Sequence, residues 1–161
     1  MQYMKTHFLD TSALVKLFLK EDGSEAIHSN FGKASVNWTT SLCIAELLGV
    51  FKCKYVRKDI SKEKYLELSD ELIGSVRNES IKIEQVDISD FYTFQDTENL
   101  CKKYEIDLAD SLQIITLLQG FPSKLEGESK PLFITADSSL AKAARDQGLK
   151  VWECINEQYP S

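Results

Sequence analysis

Short β-prone runs that stop at a polar or acidic residue and give way to helical stretches recur along this chain, and that alternation narrows the possible folds sharply. Thr6 to Leu9 stops at Asp10 and leads into helical Ala13 to Leu19, which ends near Gly23, and Ser24 to Phe31 reads as a second short helix. Val36 to Thr40 predicts a strand and Ile44 to Arg57 a helix; Ser61 then opens a polar helix with Tyr65, Leu68, Leu72, Ile73 and Val76 along one side. Ile81 to Val86 alternates as a strand does. Phe91 to Tyr104 and Leu108 to Leu118 predict two more helices, the second apolar apart from Asp110 and Gln113 and so expected at the centre. Pro131 to Ala136 predicts a strand, Ser138 to Gln147 a helix stopped by Gly148, and Lys150 to Ile155 a final strand. Five strands interleaved with helices imply a five-stranded, mostly parallel sheet covered on both faces, a three-layer α/β/α sandwich. The segment Phe121 to Lys130, FPSKLEGESK, is expected to be a surface loop.

At 161 residues and 43% hydrophobic content the chain is expected to form one domain, residues 1–161, with a core that needs no disulfide staples. The longest stretch free of Asp, Glu, Lys and Arg, Ser111 to Ser123, falls short of the roughly 18 to 20 residues that span a bilayer, so no membrane partner is expected. Met1 to Lys5 runs into Thr6, His7 and soon an acidic residue, which is not a secretory leader, and the expected location is cytoplasmic. Cys43, Cys53, Cys101 and Cys154 stand apart, and with only His7 and His28 available no zinc pattern assembles; they are expected to be reduced core thiols. A net charge of −6 argues that any nucleic-acid function comes from a local site.

Several chemistries are missing. There is no G-x-G-x-x-G, G-x-x-x-x-G-K-[ST] or G-x-S-x-G, so dinucleotide, P-loop and α/β-hydrolase readings lose their supports. His7 lies within the first strand and His28 on a short polar helix, poor places for a histidine-dependent nucleophile.

The informative residues are acidic. Asp10 and Asp137 close two strands, so in a parallel sheet both project from the carboxyl edge, where α/β proteins bind ligands. Asp110 falls in the first turn of the apolar helix, and Glu46 sits among Ile44, Ala45, Leu47 and Leu48, where an unpaired buried carboxylate is costly. Taken singly, Asp10, Asp137 and Asp107 serve as helix caps as readily as they serve a site, and Asp110 favourably meets a helix dipole. As a set they demand more. Two carboxylates about 4 Å apart repel by roughly 4 kcal/mol at an effective dielectric near 20, so a convergent cluster needs a cation. All-oxygen ligands suit Mg²⁺ or Mn²⁺, ions that usually serve phosphoryl chemistry.

The motifs L-D-T-S-A-L-V-K, A-E-L-L, D-S-L-Q-I-I-T and I-T-A-D-x-x-L-A-x-A-A-x-x-x-G, in this order, resemble those of the PIN-domain nucleases, particularly the VapC-like toxins of type II toxin–antitoxin pairs. The resemblance covers nearly the whole chain; Ser61 to Val76 and Phe121 to Lys130 are its least typical parts. It implies that Asp10, Glu46, Asp110 and Asp137 form the catalytic, metal-holding set, with Thr11, Ser12 and Thr135 as supporting hydroxyls and Asp107 left to capping. The implied reaction is Mg²⁺- or Mn²⁺-dependent hydrolysis of RNA phosphodiester bonds. Lys16, beyond Asp10 on the same helix, is a candidate for a substrate phosphate beside its reading as a solvated lysine. The implied partners are RNA, a cognate antitoxin lying across the groove, and a second copy of the chain. Leu47, Leu48, Phe51, Tyr55, Tyr65, Leu68 and Leu72 offer more apolar surface than a small sandwich is expected to bury, which places the homodimer interface on that helical pair. The alternatives are a PIN-like protein that binds RNA or a protein without cleaving, disfavoured by the filled acidic set, and a receiver-like domain, which has no counterpart of Glu46 and Asp110.

Overall fold

The computed structural model describes residues 4–32 and 35–160; Met1–Tyr3, part of the segment weighed as a leader, lie outside them. The elements in chain order are β1 (Lys5–Leu9), α1 (Thr11–Phe18), α2 (Ser24–Asn30), β2 (Ser35–Thr39), α3 (Ser41–Val56), α4 (Lys62–Arg77), β3 (Lys82–Ile83), α5 (Phe91–Lys103), α6 (Leu108–Gln119), β4 (Leu132–Thr135), α7 (Ser138–Asp146) and β5 (Lys150–Glu153). Most helices start at a side chain that accepts an otherwise unpaired N–H: Asp10 for α1, Thr40 for α3, Ser61 for α4, Asp90 for α5, Asp107 for α6 and Asp137 for α7. Only α2 starts differently, at Gly23, whose φ of +86° suits glycine and whose added Cβ would meet the Ile155 and Lys16 side chains.

Among the described residues the sheet has five strands in the order β3-β2-β1-β4-β5, every pair parallel. Strand alternation sends consecutive residues to opposite faces and separates two cores. Leu9, Ile134 and Trp152 face α1 to α4 and join Leu14, Ile27, Leu47, Phe51, Leu68 and Leu72; Phe8 and Phe133 face the other way and join Leu100, Ile114, Leu117, Leu140 and Ala144 from α5 to α7. The result is the expected α/β/α sandwich. Its strand order reverses at β1, with β2 on one side and β4 on the other, and the carboxyl ends of β1 and β4 frame the switch-point crevice where such sheets take ligands.

Three local expectations change. The strand expected over Ile81 to Val86 shrinks to Lys82–Ile83, because the Glu84 N–H still reaches the Thr39 carbonyl but the Val86 N–H turns away to the Thr116 hydroxyl. The α3–α4 pair buries most of the side chains expected to be surplus: Leu47, Phe51, Leu68 and Leu72 are all 0% exposed and Tyr55 stacks on Tyr65, whereas Ile73, expected inside, is 42% exposed, beside Val56 at 65% and Leu66 at 49%. Of the four free cysteines Cys43 and Cys154 are core thiols, whereas Cys53 is exposed and Cys101 half-buried. The Phe121 to Lys130 excursion contains two short 3-10 turns, anchored by buried Pro122 and by packing of the Phe121 ring on Trp38. Among the described residues no helix is long and apolar enough to cross a membrane.

Candidate active site

Asp10 leaves β1 at the switch point and is 3% exposed. Its Oδ1 accepts the Ala13 N–H at 2.7 Å, Thr135 donates its hydroxyl to Oδ2 at 2.6 Å, and the Ser12 hydroxyl lies 2.8 Å from both oxygens. Three hydrogens therefore meet a carboxylate with about four acceptor positions, which leaves one for a ligand. The Ser12 and Thr135 oxygens in turn accept the backbone N–H groups of Ala136 and Asp137, so both hydroxyls are pinned by the β4–α7 turn. Thr11 supports a different carboxylate: its hydroxyl donates to Glu46 Oε2, tying α1 to α3 and leaving Oε1 without a partner among the described residues.

Asp137 caps α7 with one carboxylate oxygen and leaves the other free of described partners. Its Oδ1 accepts the Ser139 and Leu140 N–H groups at 2.7 and 3.0 Å, while Oδ2 has no described partner. Asp107 caps α6 through the Asp110 N–H at 2.9 Å, as expected, and the half-buried Asp110 carboxylate receives no hydrogen bond from the described residues.

Electrostatics places these groups in one neighbourhood. Burial pushes the Asp10 carboxyl up to about 6 against the pull of its hydrogen bonds from Thr135, Ala13 and Ser12, and the charge of Asp137 adds to the rise. Asp110 is pushed up to about 7, first by burial and then by the charges of Asp107, Asp10, Asp137 and Glu46. Asp10, Asp110 and Asp137 line one cavity of about 360 Å³ with Thr11, Ser12, Val15, Glu21, Val50 and Lys54. Glu46 is not among the lining residues but accepts the hydroxyl of Thr11, which is. Cavities of about 490 and 510 Å³ open around Lys5, His7 and Tyr159 at the opposite edge of the sheet, but among the described residues Glu128 is the only carboxylate side chain on either, and His7 is held between Asn37 and Tyr159.

A family model described as PIN domain matches residues 7–146. The chain belongs to the PIN domain family. No curated protein matches it. PIN domains are generally nucleases, and PIN nucleases usually use divalent metals. In this PIN domain no group of three or more His, Cys, Asp or Glu is gathered closely enough to hold a metal as it stands, among the described residues. The fit lies in donor chemistry: spare oxygen positions on Asp10, Glu46, Asp110 and Asp137, mutually repelling where they meet, suit a hard divalent cation.

Lys16 is placed differently from both of its readings. It is 7% exposed on its side chain, and its ammonium bonds Glu21 at 2.8 Å, so it is neither solvated nor open toward a substrate phosphate. Four lining residues lie outside the sequence-based set, apolar Val15 and Val50 and charged Glu21 and Lys54. Glu21 sits in an irregular turn that carries no periodic signal, but Lys54 was within reach, since Glu46, Val50 and Lys54 follow one another at four-residue steps along α3.

Proposed function

We propose that this PIN domain is a metal-dependent ribonuclease that hydrolyses RNA phosphodiester bonds and acts as the toxin of a toxin–antitoxin pair. The observation that carries the nuclease reading is the meeting of Asp10, Asp110 and Asp137 on one cavity at the switch point, with Glu46 tied to the same α1 start through Thr11. Asp10, Glu46, Asp110 and Asp137 would hold Mg²⁺ or Mn²⁺, Asp10 through its one remaining acceptor position and the others through oxygens that capping and hydroxyl bonding leave spare. A bound divalent ion supplies Lewis acidity toward the scissile phosphate and activates water. The chain's own part is preorganisation: Ser12 and Thr135 fix the plane of the Asp10 carboxylate, Thr11 fixes that of Glu46, and the two cores hold the strand ends rigidly beneath them.

The spare oxygens also weigh against the reading of a PIN-like protein that binds without cleaving, for which capped and fully bonded carboxylates would suffice. The toxin assignment, the antitoxin and the homodimer rest on the motif resemblance. Apolar surface open to a second copy lies on α3 and α4 at Val56, Leu66 and Ile73, which are 65%, 49% and 42% exposed, and at the start of α5, where Phe91, Tyr92 and Phe94 are 68%, 72% and 50% exposed. The test of the nuclease reading is cleavage of single-stranded and structured RNA by the purified chain. Cleavage in Mg²⁺ or Mn²⁺ that stops in EDTA is expected; sustained cleavage in chelator, or none with either metal, overturns it.

A further inference from the structure

An acidic cavity cannot by itself hold a polyanion in register, because every phosphate that flanks the reacting one meets the same repulsion. The lining of the cavity contains Asp10, Glu21, Asp110 and Asp137 and a single cationic side chain, Lys54. The other cation close by, Lys16, is bonded to Glu21. Lys54 makes no ion pair, cation–π contact or side-chain hydrogen bond among the described residues, and it is half-buried on the cavity wall. It follows Glu46 and Val50 on one stripe of α3, and eight residues of helix set it about 12 Å along the axis from Glu46. That offset removes it from the carboxylates and leaves it beside them on the same wall.

We propose that Lys54 is a substrate-positioning residue whose ammonium takes a backbone phosphate of a single-stranded RNA next to the phosphodiester that is cut. The inference rests on the ribonuclease reading above. It assigns Lys54 to binding and register, with no part in bond breaking. The competing role is purely local: a lysine in the last turn of α3 complements the helix dipole and offsets nearby carboxylates without touching RNA.

The experiment compares the full chain with Lys54→Gln, Lys54→Arg and, as a control on an exposed lysine away from the cavity, Lys62→Gln. Cleavage of a single-stranded RNA oligonucleotide in Mg²⁺ gives kcat and KM, and fluorescence anisotropy of the same RNA across a salt series gives the slope of log affinity. For Lys54→Gln the expected result is a KM raised roughly tenfold with kcat within about twofold. The salt slope should fall by about 0.7, the share of one phosphate contact on a single strand. Lys54→Arg should recover most of the affinity, and Lys62→Gln should behave as the unaltered chain. An unchanged KM and salt slope in Lys54→Gln, with only its Mg²⁺ dependence altered, overturns the inference in favour of the local role while leaving the nuclease reading intact. An unaltered chain that cleaves no RNA in Mg²⁺ or Mn²⁺ overturns both.

Discussion

Replacing Asp10 by asparagine in metal-free protein should change stability in a pH-dependent way whose sign follows from the burial of this carboxylate. Its folded pKa is raised from 3.8 to about 6. Because the folded state holds the proton more tightly than the unfolded chain, this group favours folding only at low pH, and that advantage is lost as pH rises from about 4 through 6. Slightly more than two units at 1.36 kcal/mol each make the ionised Asp10 cost about 3 kcal/mol at pH 8. Asparagine does not ionise and keeps an oxygen for the Ala13 N–H, but its amide NH₂ faces the Ser12 and Thr135 hydroxyls, which must rotate from donating to accepting. That rearrangement costs about 1 kcal/mol. The variant should therefore be more stable than the unaltered chain by about 2 kcal/mol at pH 8, a rise in Tm of roughly 4 to 8 °C for a domain of this size. At pH 4, where the folded carboxyl is protonated and the unfolded one about half ionised, the order should reverse by about 0.5 kcal/mol. Thermal melts followed by circular dichroism in EDTA at pH 4, 6 and 8 measure the difference. An Asp10→Asn variant that is less stable by the same amount at every pH would refute the reasoning and leave Asp10 as an ordinary helix cap.

Leu68→Ala should lower stability by about 2 to 5 kcal/mol in denaturant titration without changing molecular mass, because Leu68 is 0% exposed within its own chain; a small loss accompanied by a change in association would return it to an interface. Light scattering at micromolar concentration should give twice 18.3 kDa if the homodimer forms, a mass that Tyr92→Glu at the exposed start of α5 should lower toward the monomer, and a mass of 18.3 kDa for the unaltered chain rejects the dimer. Added Mn²⁺ should raise the Tm of the unaltered chain more than that of Asp10→Asn, as expected of a ligand that binds only the folded state; equal shifts would place the ion elsewhere.

Much of the site was legible because a parallel sheet converts sequence position into location. Once Thr6 to Leu9 and Pro131 to Ala136 read as strands, Asp10 and Asp137 had to leave the same edge, and adjacency of β1 and β4 brought them together. Glu46 stood out as a carboxylate in apolar company, and Asp107 as a cap by its place before the α6 run. What failed were contacts set by geometry between distant segments. The Lys16 ammonium is drawn to Glu21 across the α1–α2 turn, a partner that no helical period points to. The α3–α4 leucines read as surplus because periodicity shows which side of a helix is apolar but not how much sheet and neighbouring helix lies opposite it. Ile83 alternates as a strand residue should, yet it is 40% exposed because β3 sits at the edge and the chain departs to reach Thr116. A lysine near a helix end is already explained by the dipole, and only the folded structure puts Lys54 on the cavity wall.

The central claim is that the four carboxylates act together in cutting RNA, and Asp110 tests it most directly because it caps no helix and accepts no described hydrogen bond. The measurement is the rate of RNA cleavage in Mg²⁺ by the unaltered chain and by Asp110→Asn, purified identically, with the Tm of each recorded alongside. The account predicts a loss of at least about a hundredfold in rate with a Tm that is unchanged or raised. A variant that cleaves at the rate of the unaltered chain, or one that loses activity only because it no longer folds, would contradict it.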